Sequence, residues 1–165
     1  MVFAVVFVLR FTTVTIRDWV SPCGVRIAYY NDGDFKERIA MRPLRALEAY
    51  YQHAPAHGVR SGNFYARAEG WLGIRKSGKY AFATLSHGGL RLYLDERLLV
   101  DSWKEQPWGR SGNHADDVEL SEGYHRLRVD YFVNGGPGRF KVEWCGPGIP
   151  PRSVVDADYL RKDKP

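Results

Sequence analysis

Tyr124-His-Arg-Leu-Arg-Val-Asp-Tyr131 alternates without a break. Leu127, Val129 and Tyr131 fall on one side of an extended chain, and Arg126, Arg128 and Asp130 on the other, because successive strand side chains point to opposite faces. One apolar row backed by one charged row is what an antiparallel sheet with a single buried face requires. The same period recurs upstream in Phe64-Tyr-Ala-Arg-Ala-Glu69 and in Leu90-Arg-Leu-Tyr-Leu-Asp95, and downstream at Phe140, Val142 and Trp144. Tyr80 and Phe82 fit another strand, and Val25-Arg-Ile-Ala-Tyr-Tyr30 is a further one, ended by the turn residues Asn31-Asp32-Gly33-Asp34. Asp95-Glu96 is a short connection between two apolar runs and predicts a hairpin. The implied fold is all-β: an antiparallel, jelly-roll-like sandwich of about seven or eight strands, with Phe64, Leu92, Leu94, Leu127, Val129 and Trp144 in its core. One short helix is expected near residues 43–53, where Pro43 suits a first helical position and Leu44, Leu47 and Tyr51 recur at helical spacing.

The bulk numbers agree with one globular domain. A chain of 165 residues buries roughly 70% of its unfolded surface and needs no metal or dense disulfide framework to fold. Aromatic residues are frequent at 14%, and 17 Gly with 9 Pro supply many turns. The formal net charge of +5 comes from scattered basic residues, with neither the basic face nor the recognition module of a nucleic-acid binder. Residues 1–23 read as a hydrophobic lead-in. Val2 to Leu9 is an unbroken apolar run, too short to cross a bilayer, which takes about 20 residues. It is a strand, the remnant of a membrane segment or a short hydrophobic start, and membrane association through residues 2–9 stays open; the β-propensity of Phe11 to Ile16 favours a strand. Residues 24–150 form the sandwich domain, and 151–165 read as a C-terminal tail whose Arg161-Lys162-Asp163-Lys164 is solvated.

No chemistry-bearing motif is present. There is no nucleophile elbow, no His-Glu-x-x-His and no phosphate loop, and Asn134-Gly-Gly-Pro-Gly138 joins two strands rather than opening a helix. His53 and His57 have helical metal spacing, which Pro55 breaks. Asp32 and Asp34 are explained by their turn. Cys23 and Cys145 match no zinc or redox spacing; they are a disulfide in an oxidising compartment or two free thiols, and as each borders a terminal strand they are expected near each other. The expectation is a protein without catalytic residues.

The order of these stretches resembles the protective-antigen fourteen-kilodalton domain family, a lectin-like β-sandwich of bacterial toxins and glycosidases related to yeast flocculin-type adhesins. The matching stretches are Gly24 to Tyr30 with Gly33-Asp34-Phe35, Phe64 to Arg67, Ser77 to Phe82, Arg91 to Asp95, Leu99 to Trp103, Leu120 to Leu127, Val129 to Tyr131, Asn134 to Gly136 and Trp144 to Gly148. The resemblance implies a non-catalytic, extracytoplasmic module that binds or positions glycan, as in adhesion. The alternative is a structural or protein-interaction module of a multidomain, membrane-bound or extracytoplasmic glycan-processing protein. In the adhesin relatives two adjacent Asp residues bind calcium just before the Arg-Leu-Tyr-Leu-Asp strand. Here His87-Gly88 stand at that place, and neither suits a hard oxygen-seeking cation. No cofactor is therefore expected, and Asp116-Asp117, elsewhere in the motif order, face solvent. The candidate ligand site comprises His87, Gly88 and Gly89, with Asn134 and Gly135 from the partner loop, and Trp103 and Trp108 as stacking platforms.

Overall fold

The computed structural model describes residues 15–107 and 111–165. After a five-residue helix, α1 (Ile16–Val20), the chain is built of strands: β1 (Val25–Tyr30), β2 (Arg38–Leu44), β3 (Glu48–Tyr51), β4 (Asn63–Ile74), β5 (Gly78–His87), β6 (Gly89–Leu94), β7 (Arg97–Ser102), β8 (Ser111–Leu120), β9 (Gly123–Asn134), β10 (Gly138–Gly146), β11 (Ile149–Val154) and β12 (Leu160–Arg161). They form two antiparallel sheets. The larger has the order β2-β1-β4-β9-β6-β7 with β12 added to β4, and the smaller has β11-β10-β5-β8 with β3 added to β10. Every pairing is antiparallel, as the single-faced alternation requires.

The inward rows meet between the sheets. Phe64, Leu92, Leu127, Val129 and Trp144 are each at most 2% exposed and Leu94 is 3%. Tyr80 and Phe82 both stack on Trp144, with centroids 5.8 and 6.1 Å away, while Tyr29, Tyr51, Phe64 and Tyr131 make edge-on or stacked contacts with one another. The β6–β7 hairpin turns on Asp95 and Glu96, whose φ values of 48° and 63° give the primed two-residue turn that matches strand twist.

Three expectations are corrected. The stretch 43–53 is not a helix: Pro43 lies in β2 at a sheet edge, where its missing N–H costs no ladder bond, and Glu48–Tyr51 pair with β10. Leu44, Leu47 and Tyr51 are indeed all buried, but the break between two strands produces that spacing. The short helix lies instead at Ile16–Val20, held by a capping box in which Thr15 and Asp18 exchange bonds; Ile16 thus opens a helix rather than closing a strand, and residues 2–14 lie outside the described residues. Residues 151–165 are not a loose tail. Val155 and Leu160 are fully buried, β12 pairs with β4, and the Lys162 ammonium donates to the carbonyls of Asp18, Trp19 and Ser21, tying the C-terminal segment to the end of α1.

Candidate functional site

At one end of the sandwich the chain turns from β5 into β6 through Gly88, and from β9 into β10 through Gly135-Gly136-Pro137. Registers Gly89↔Phe132 and Arg139↔His87 set these two turns side by side. Hydrogen bonds then join them. His87 Nδ1 donates to the Pro137 carbonyl, which fixes the tautomer and leaves Nε2 as the acceptor of the neutral ring. Tyr131 Oη donates to the His87 carbonyl at 2.7 Å, and burial pushes that phenol's pKa up. The Gly88 N–H donates to the Gln106 carbonyl at 3.0 Å, and Ser86 Oγ donates to the Gly88 carbonyl at 2.9 Å. Beneath them Gln106 Nε2 donates to Ser86 Oγ and Ser102 Oγ, both at 2.9 Å, so the segment after β7 is locked to the same end.

The outer face of the larger sheet continues from these turns as an arginine–aromatic array. Trp103, just past β7, meets the Phe132 ring edge-on at 4.8 Å and lies beneath the Arg91 guanidinium at 4.9 Å. Asp101 accepts both the Arg91 Nε–H and the Trp103 N–H at 3.1 Å, and the Arg91 bond holds its carboxyl below the usual carboxylate range. Phe35 covers Arg67 at 4.1 Å, and Arg67 forks onto the buried Asp130 at 2.7 and 3.0 Å. Arg128 lies 3.8 Å over the Tyr93 ring.

Of the residues singled out in the sequence, His87, Gly88, Gly89, Asn134 and Gly135 converge at this end, and Trp103 flanks them through Phe132. Trp108 lies outside the described residues. The two glycines of the first turn are there for packing. A Cβ on Gly88 would stand 2.1 Å from the Phe132 carbonyl oxygen, and one on Gly89 would stand 2.0 Å from the Phe132 ring. Gly135, by contrast, borders open space, and Asn134 is exposed. Cys23 and Cys145 are free thiols rather than a bridge: Cys23 pairs with Arg161 beside the larger sheet, whereas Cys145 sits on β10 of the smaller one opposite Ala81. Asp116 and Asp117 are exposed, as expected. Gln106, Ser86 and Ser102 were not singled out; they carry no motif, and only the folded contacts reveal them.

Among the described residues no three His, Cys, Asp or Glu side chains gather in a metal-holding group. At the place of the relatives' calcium pair, His87 Nδ1 and the His87 and Gly88 carbonyls are already bonded within the protein, and neither residue brings a carboxylate of its own. Among the described residues no helix is long and apolar enough to cross a membrane.

A family model described as PA14 domain matches residues 22–158. The anti-sigma-I factor RsgI3 of Acetivibrio thermocellus is 27% identical over 123 residues, covering 73% of this chain and 19% of that protein. An anti-sigma factor domain-containing protein from Clostridium clariflavum superposes with a TM-score of 0.76 at 24% identity, over 87% of this chain and 48% of that one. A PA14 sugar-binding domain from an RTX adhesin superposes at 0.69 with 14% identity, over 86% of this chain and 99% of that one. The chain thus spans about a fifth of the curated relative and about half of the first of these structures.

Proposed function

Because the chain belongs to the PA14 domain family, with residues 22–158 matched, we propose that it is a non-catalytic, extracytoplasmic carbohydrate-binding module whose binding does not depend on calcium. The observation that carries this reading is the meeting of the His87-Gly88 and Asn134-Gly135 turns at one end, beside Trp103. Exposed Asn134 offers an amide donor and acceptor, His87 Nε2 an acceptor, and Gly135 lets a ligand reach the backbone. Trp103 and Phe132 give an aromatic edge on which a sugar ring can lie. With His87 and Gly88 in place of two Asp, affinity rests on stacking and hydrogen bonds and is weak. Its proposed chemistry is recognition, because the side chains gathered at this end offer hydrogen bonds and aromatic surface rather than a nucleophile paired with a base.

The second reading is a structural or interaction module within a longer host protein. It is favoured by the way the 86–89 turn uses its own polar groups internally, and by a curated relative of which this chain spans only 19%. That relative is named an anti-sigma-I factor, so a host that couples the module to signalling fits this reading too. A glycan array run with and without a calcium chelator separates the two: retained signal on defined glycans in chelator supports the carbohydrate reading, and a blank array supports the second.

A further inference from the structure

At the opposite end of the sandwich lies a groove of about 290 Å³, between the turn after β4, the turn before β9 and the segment preceding β12. We propose that this groove is a second binding site, for one or two units of an uncharged sugar. It lies far from the first. β9 is twelve residues long and runs from Gly123 at the groove to Asn134 at the other end, which puts the two roughly 36 Å apart at about 3.3 Å per residue.

Its lining has the composition that hydroxyl-rich ligands need. Tyr124 is 41% exposed, and Tyr159 lines the groove with it. A Cβ on Gly73 would sit 3.1 Å from the Tyr124 ring and 3.4 Å from the Tyr159 carbonyl oxygen, so the glycine lets the Tyr124 ring lie close against β4 beside the Tyr159 backbone. Tyr159 is itself wedged edge-on against buried Trp144 at 4.9 Å and covered by Arg75 at 4.4 Å, which makes it a fixed wall. Arg75 also donates to the Asp158 carbonyl at 3.3 Å, and Arg161 to the carbonyls of Ala157 and Leu160, so this wall is rigid before any ligand arrives. The charged residues at the groove are Arg75, Arg161, Glu122 and Asp158, two of each sign. That balance disfavours a strongly ionic ligand. Aromatic rings beside carboxylates and guanidinium groups instead match the apolar ring faces and the hydroxyl donors and acceptors of a neutral sugar. The volume, at the lower end of small-molecule sites, limits occupancy to one or two rings.

The site stands apart from the turn end proposed above, and one experiment reads both. The ¹⁵N-labelled chain is titrated with glucose, galactose, N-acetylglucosamine, cellobiose and xylobiose to tens of millimolar, following assigned amides. The expected result is saturable shifts at Gly73, Gly123 and Tyr159 with at least one probe. Tyr124→Ala should weaken that binding about tenfold, the size of one stacking contact, while Tyr124→Phe, which keeps the ring, should leave it within about twofold by the same reasoning. The amides of Gly88 and Gly135 report the other site independently. Shifts confined to those two, no shift at the groove amides with any probe, or groove binding unchanged in a correctly folded Tyr124→Ala protein would each overturn the proposal.

Discussion

Replacing Gly88 by Asp puts a carboxylate where the adhesin relatives carry one, and the structure predicts that it damages the fold without creating a calcium site. Gly88 sits at φ +89°, in the region L-residues avoid at about 1–2 kcal/mol. Its new Cβ would stand 2.1 Å from the Phe132 carbonyl oxygen and 3.0 Å from the carbonyl carbon. Those are backbone atoms within the β6–β9 ladder, so relief means displacing a strand pairing, and overpacking of this kind adds about 1–3 kcal/mol. The position is also buried, and a charge there has no partner. The total is about 3–5 kcal/mol, which lowers Tm by roughly 10 °C for a chain of this size. His87→Asp, at a half-exposed position, should cost about 1 kcal/mol, the size of the single bond to Pro137 that it removes. Thermal unfolding followed by circular dichroism, with and without millimolar calcium, gives the readout for each variant and for the double replacement. A Gly88→Asp protein as stable as the parent, or a double variant whose Tm rises with calcium, would refute the packing argument.

Leu92 is fully buried between its ladder partners Val100 and Val129, so Leu92→Ala should cost about 2–5 kcal/mol in urea unfolding, and a loss below about 1 kcal/mol would place it outside the core. Burial pushes the Tyr29 phenol up to about 12, and holds Tyr51 and Tyr131 high for the same reason. Unfolded tyrosines ionise near 10, so stability should be intact below pH 10 and fall as pH rises from 10 towards 12, by on the order of 1 kcal/mol from Tyr29 at pH 11; phenolate absorbance that develops fully before unfolding would contradict this. Cys23 and Cys145 should both react with a thiol reagent after unfolding, and reductant should leave Tm unchanged, whereas a clear drop on reduction would mean that a bridge had formed.

The parts of the fold legible in the sequence were those set by local alternation. The rows Leu127-Val129-Tyr131 and Leu90-Leu92-Leu94 name their own buried face, and the turn at Asp95-Glu96 follows from its length. Pro43 to Tyr51 misled because Leu44, Leu47 and Tyr51 sit three and four residues apart, a spacing that a helix and two strands separated by a turn produce alike. Lys162 reads as solvated because its burial depends on three carbonyls about 140 residues earlier in the chain. At the candidate site, the two turns named from the order of motifs lie side by side, but the reason for Gly88 and Gly89 lay in Phe132, a residue whose outward strand position carries no sign of its packing. The Gln106–Ser86–Ser102 network has no sequence signal, since each residue type is common and the three are scattered over two segments. The opposite groove needs three distant segments to close and could not be read linearly at all.

The central claim, calcium-independent glycan recognition at the end formed by residues 86–89 and 134–138, is tested most directly by amide shifts of the labelled chain, first under added calcium and then under glycans that score on the array. The account predicts no saturable calcium response at His87 and Gly88, followed by weak, saturable glycan shifts at His87, Asn134 and Gly135 that persist in chelator and are lost in Trp103→Ala. Tight calcium binding centred on His87 and Gly88, or glycan shifts that vanish on chelation, would contradict it.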